Sequence, residues 1–143
     1  MRDLLSAVDA AKAEDLLQEW RWLVPHGDSP LFVSFFGDWV FGAQDGSLWA
    51  LSLLDGDYRR VAANADEYNK QKASFEWLDE VFMAGWQEIA ERQGLVPTED
   101  QCVGWKVHPV FGGPFAAENL QLFSMRVYQS LMGQLHRQRL SGR

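Results

Sequence analysis

The sequence predicts an α+β fold: an N-terminal helix, an antiparallel β-meander of about four strands, then helices and a short C-terminal strand–helix unit packed on the sheet. Three observations carry this. Apolar residues from Leu16 to Val24 recur at spacings of three and four, the period of a helix face. Between Pro30 and Ala62, runs rich in Phe, Val, Trp and Leu are broken by Gly37-Asp38, Asp45-Gly46 and Asp55-Gly56. After Asn64 the helical period returns.

The first segment, Asp3 to Val24, reads as helical, with Leu4, Leu5 and Val8 opening its stripe and Asp9 a candidate cap for a second start. Pro25-His26-Gly27-Asp28 ends it. Strands are expected at about 31–36, 39–43, 47–53 and 58–62. The Asp-Gly pairs favour the primed two-residue turns whose twist suits a hairpin. Trp49 and Leu51 lie on one parity, Leu48 and Ala50 on the other, so the sheet should be covered on both faces. A short helix follows at "NADEYNKQ", capped by Asn64 or Asp66. A longer one runs from about Ser74 to Arg92, with Phe75, Leu78, Phe82, Gly85/Trp86 and Ile89 inward, and Gly94 stops it. "QCVGWKVHP" reads as a strand, Gly112-Gly113-Pro114 as a turn and Leu120–Phe123 as a short strand. Ser124 should cap a last helix that buries Val127, Tyr128, Leu131, Met132 and Leu135.

Length argues for one domain over residues 1–143, with helix and meander in 1–63 and the remainder in 64–143. A 47% hydrophobic content is enough for a packed core and argues against disorder. The net charge of -7 is uneven: residues 1–100 hold 19 acids against 8 bases, whereas residues 101–143 hold Glu118 alone against five bases. Such an acidic surface repels phosphates, which argues against direct nucleic-acid binding and favours basic partners. Cys102 is the single cysteine, so there is no intramolecular disulfide and no multi-cysteine zinc site. No apolar run reaches the roughly 18 residues a membrane span needs, and the first twenty residues lack a signal-peptide core. The expectation is a cytoplasmic protein without membrane contact.

Reactive constellations are weak. Cys102 and His108 are six residues apart on one expected strand, roughly 20 Å and beyond hydrogen-bond reach. His26, His108 and His136 are scattered, with no metal-ligand spacing, and "FGGPF" lacks both phosphate-loop patterns. No catalytic residue, metal or cofactor is expected. A regulatory module with a small-molecule pocket near His108, Gly113 and His136 stands as the alternative to a protein-binding role, and a hydrolase using Cys102 or a histidine as a third possibility.

The run from Gly94 to Gln138 resembles the C-terminal domain of bacterial immunity proteins linked to type VI secretion DNase effectors. The resemblance rests on Gly94-Leu95, Glu99 to Cys102, Pro109, Gly112-Gly113, Asn119-Leu120 and the helix "GQLHRQ" from Gly133 to Gln138. Upstream, "LFVSFFGDWVFGAQDGSLWALSLLDGDYRRVAANADEY" is similar to the GAD-like region that precedes that domain, here shortened. The resemblance implies an inhibitor rather than an enzyme, with a cognate toxin effector, a basic nuclease domain, as its partner. Charge and aromatic character then single out candidate contacts: Asp38, Trp39, Asp45, Trp49, Asp55 and Asp57 around the turns, with Glu76, Asp79 and Glu80 on a helix face. Turn chemistry and solvation are the plain alternatives for these acids. The motif residues Gly112, Gly113, Asn119, Gln134, His136 and Gln138 read as structural, tying the last helix to the Gly-Gly turn.

Overall fold

A computed structural model of the chain describes residues 3–142. Five antiparallel strands form a meander in sequential order: β1 (Leu5–Ala7), β2 (Ser29–Ser34), β3 (Trp39–Gly42), β4 (Leu48–Ser52) and β5 (Asp57–Ala62). The first of them corrects the sequence reading. Leu4 and Leu5 do not open a helix. Leu5 lies on the edge strand, where it pairs with Ser34 and covers what would be an open edge of β2, and Leu4 just before it accepts from Phe35 N–H. Helix α1 (Ala10–Leu16) starts only after Asp9, whose carboxylate accepts from the N–H groups of Ala11 and Lys12. A 3₁₀ turn, Gln18–Trp20, completes the segment.

The hairpins also depart from the primed pattern. Gly37, Gly46 and Gly56 all have positive φ, yet Met83 is the only non-glycine with positive φ among the described residues. Asp45 therefore keeps ordinary backbone angles, and Gly46 takes the left-handed position, as in longer hairpin loops. Asp45 serves the turn by accepting from the N–H and Oγ of Ser47.

The sheet is covered on both faces, as the mixed parity predicts. One face packs Val33, Trp39, Phe41 and Leu51 against Leu17 and Trp20 and against Met125, Tyr128 and Met132 of α5 (Met125–Gly142). The other packs Val40, Leu48, Ala50 and Ala62 against Tyr68 of α2 (Ala65–Gln71) and Phe82 of α3 (Phe75–Phe82). Asn64, not Asp66, caps α2. A third cluster joins Phe35 and Phe36 to Ala90 of α4 (Ala84–Arg92) and to β6 (Gln101–Trp105), which pairs with β7 (Leu120–Ser124). The first cluster mixes residues from Ala13 to Leu53 with residues from Cys102 to Met132.

The expected helix from Ser74 to Arg92 is two helices. Met83, at φ 60°, breaks it. A straight rod cannot place Phe82 in the cluster under the sheet and Ala90 in the cluster beside β6, so the axis turns between them. The period 78, 82, 86, 89 runs through the break and hides it. Phe75, read as inward, is 63% exposed at the start of α3. Asp79 bridges the break: its carboxylate accepts from Gly85 N–H at 2.8 Å, taking the place of a cap for α4. At the far end Leu95 N–H reaches Ala90 and Gly94 N–H reaches Glu91, the paired bonds of a glycine stop.

Strand β6 ends at Trp105, short of the expected Pro109, because Asn119 captures the chain beyond it. Lys106 N–H donates to the Asn119 carbonyl, and Val107 N–H to its side-chain oxygen. The Asn119 amide in turn donates to the carbonyls of Val107 and Pro114. In α5, Val127 and Leu131 are each 51% exposed rather than buried. The inward stripe runs instead through Met125, Tyr128, Gln129, Met132 and His136.

Asp79→Ala is expected to lower stability by about 1 kcal/mol, the usual effect of a lost helix cap, read from the urea midpoint at unchanged slope.

Candidate functional site

Two buried polar residues on α5 organise the site: His136, which the sequence marks as structural, and Gln129, which it does not single out. Gln129 and His136 are both fully buried. Gln129 donates to the Gly37 carbonyl at 2.8 Å and accepts from Trp39 Nε1 at 3.0 Å, while its backbone carbonyl accepts from Trp20 Nε1. It thereby ties the β2–β3 turn and two core tryptophans to the last helix.

His136 reaches the next turn. Its Nε2 lies 2.8 Å from the Leu53 carbonyl, and Nε2 of His108 lies 3.2 Å from the same oxygen. A carbonyl only accepts, so both Nε2 atoms carry the proton. Both Nδ1 atoms are then acceptors: that of His108 takes Val110 N–H at 3.1 Å, and that of His136 faces the Arg139 guanidinium. The two rings, 5.4 Å apart and nearly perpendicular, are neutral imidazoles of one tautomer. Burial lowers the pKa of each below the ordinary histidine value. The Leu53 N–H, on the other side of the same residue, donates to Asp38 at 2.9 Å. Asp38 is buried, and burial raises its pKa to about 7, with the neighbouring charges of Asp55 and Asp57 adding to the effect.

Space is as constrained as polarity. A Cβ on Gly56 would land on the His136 ring, and one on Gly113 would land on the Val107 carbonyl. The Gly-Gly turn is thus shaped by close backbone approach at Gly113, with Gly112 at φ 89° closing a 3₁₀ turn over Pro109–Phe111. Asn119 is buried in the loop it closes. Gln134 and Gln138 face outward on α5 and line an open groove with Phe111, and Gln134 donates to Ser130.

The candidate contact residues divide. Asp38 and Trp39 are buried and offer no surface to a partner, because each is held inside by the network just described. Asp45, Asp55, Glu76, Asp79 and Glu80 are exposed. Asp57 is half-buried, which raises its pKa, and Trp49 is partly buried, stacked on Tyr58 and bonded to Ser47. The small-molecule alternative calls on His108 and His136, but the Nε2 atoms of both imidazoles are committed to the Leu53 carbonyl. Cys102 is fully buried on β6, with its sulfur against the Gly37 turn, far from the exposure a nucleophile needs. Among the described residues no group of three or more His, Cys, Asp or Glu is placed to hold a metal ion, and no helix is long and apolar enough to cross a membrane. Sequence reasoning missed Gln129. Its spacing from Met125, Tyr128 and Met132 was the available signal, since it completes their face.

The model of the family described as T6SS immunity protein Tdi1, C-terminal, matches residues 62–136. Among solved structures, the crystal structure of Atu4351 from Agrobacterium tumefaciens is similar, with a TM-score of 0.62 and 14% sequence identity over 92% of this chain. At that identity the likeness is one of fold. The match covers 66% of that chain, so the present chain spans about two thirds of its length. No curated protein matches.

Gln129→Leu keeps the volume but strands the Trp39 N–H and the Gly37 carbonyl, so a loss of about 2–4 kcal/mol in unfolding free energy is expected by denaturant titration. The pH response of Asp38 follows from its raised value. Protonated in the fold up to about 7 but only to 3.8 when unfolded, it contributes stability that is complete below about 4 and lost as pH rises through 7. Asp38→Asn removes that loss, so the variant should gain on the wild type by on the order of 2–3 kcal/mol between pH 5 and pH 8. The histidines act in the opposite sense, losing stabilisation as pH falls below about 6.5, and they do so equally in both proteins.

Proposed function

We infer the task of this molecule from one premise: the chain belongs to the family of the C-terminal domain of the type VI secretion immunity protein Tdi1. It binds one cognate effector and neutralises it by occupying the effector's active site or substrate path, with no bond-making chemistry of its own. The family match carries this reading. The proposed target is a nuclease domain, whose DNA-binding surface must be basic. The charge distribution supports that pairing, since 19 acids stand in the first hundred residues.

The exposed acids Asp45, Asp55, Glu76, Asp79 and Glu80, with the partly buried Asp57 and Trp49, are the proposed contacts to that basic surface. Complementary charge mainly accelerates encounter, while buried apolar anchors slow release. The proposed compartment is the cytosol, where a cell meets an incoming nuclease. We also propose that residues 1–63 and 64–143 fold as one unit, because the cluster around Trp39 draws on both.

A small-molecule-binding module remains the second reading, favoured by one concavity. A cavity of about 350 Å³ lies between α1 and the sheet, floored by Val33, Trp39 and Met125. A metabolite that raises the melting temperature of the wild type but not of Ala13→Trp would support it.

The main reading is tested with the effector encoded beside this gene, in a catalytically inactive form. Nanomolar binding is expected, together with protection of DNA from the active effector. Reversing Asp45 and Glu80 to Lys should lower the association rate about tenfold at low salt and leave dissociation nearly unchanged. Absence of binding at micromolar concentration would remove the reading.

A further inference from the structure

Of the large apolar side chains that stand exposed, four lie in the loop after β6: Val107, Val110, Phe111 and Phe115. Three more, Val127, Leu131 and Leu140, lie on α5. Single exposed apolar residues need no explanation, but seven on two adjoining segments do. Phe111, at 65% exposure, meets α5 across an open groove of about 620 Å³. Leu131, Met132 and Leu135 form the apolar part of the groove, and Gln134, Gln138 and Arg139 the polar part.

The charge of this wall differs from the rest of the molecule. Residues 119–142 contain Arg126, Arg137 and Arg139 and no acid. Arg126 is paired with Asp15, away from the groove. Arg139 reaches His136 Nδ1 and the Asp55 carbonyl, neither of which is a carboxylate, so its charge stays uncompensated by these contacts. The complement of a wall with apolar side chains, two neutral amides and a guanidinium is an apolar side chain with a carboxylate beside it.

We propose that the groove between Phe111 and α5 docks an apolar, acid-bearing segment of the cognate effector, which makes it a second contact chemically opposite to the acidic turns. The proposal rests on the immunity reading and deepens it. One interface would then hold both signs of charge. A wrong effector with a basic surface alone would satisfy only half of it, so the groove would confer selectivity among effectors. Arg139 touches the loop that carries Asp55, so the groove adjoins the acidic turn.

The test compares three surface variants with the wild type against the same inactive effector: Leu131→Glu, Phe111→Ala and Arg139→Glu. All three sites are exposed, and thermal melting of each variant checks that it folds. Leu131→Glu is expected to weaken binding at least about 100-fold, chiefly through faster dissociation, and Phe111→Ala and Arg139→Glu about tenfold each. Failure of the wild type to bind removes the immunity reading and this proposal together. Wild-type binding with all three variants unimpaired overturns the groove alone and leaves the immunity reading standing. Loss of self-association by light scattering in Leu131→Glu, with effector affinity unchanged, also overturns it, because the groove then joins two copies of this chain.

Discussion

The peptide groups that flank Leu53 are the point on which the two halves of the molecule meet. The N–H is taken by Asp38 from the β2–β3 turn, and the carbonyl by His108 from the loop after β6 and by His136 from α5. Backbone groups at the end of a strand have no ladder partner, and burying them without one is costly. Here the partners come from three distant stretches of chain. The sheet end, the Gly-Gly loop and the last helix are therefore fixed relative to one another through one residue. Gln129 repeats the device about two helical turns earlier on α5, at the Gly37 carbonyl. Both buried α5 side chains answer the same problem, the unpaired carbonyls of hairpin ends packed under a helix.

Such a network constrains sequence more tightly than apolar packing does. A leucine tolerates a change of neighbour. A neutral imidazole with one nitrogen donating and the other accepting does not. This accounts for the histidine of the Gly-Gln-x-His-x-Gln helix, whereas Gln134 and Gln138 face outward. That histidine is fixed by the Leu53 carbonyl and by the close approach of Gly56. The matched segment, 62–136, opens at the last residue of β5 and supplies the histidines, whereas the carbonyl they hold lies upstream of it. The two parts are chemically unfinished without each other.

Much of the fold is written in local pattern. Two Asp-Gly pairs, Gly37-Asp38 and the apolar runs between them located three of the meander turns, mixed parity indicated a sheet buried on both faces, and Asn64 and Gly94 marked helix ends. What failed had non-local causes. Leu4 and Leu5 fit a helix stripe as well as an edge strand, and the need to cover β2 decided between them. The break at Met83 follows from two separate clusters that no one-dimensional period reports. Val127 and Leu131 have the right period for burial but the wrong phase, because Gln129 and His136 take the inward positions. Of the site, charge showed which residues are acidic but not which are buried. Asp38 and Trp39 look like surface turn residues until the helix that covers them is in place.

Asn119 makes four hydrogen bonds that close the loop from Lys106 to Pro114 on itself. The side chains this loop displays, Phe111 foremost, are therefore held on a stiff frame. The conformational entropy of the loop backbone is surrendered when the chain folds rather than when a neighbour arrives. Contact with such a frame resembles lock-and-key docking, fast to seat and intolerant of a poorly shaped counterpart.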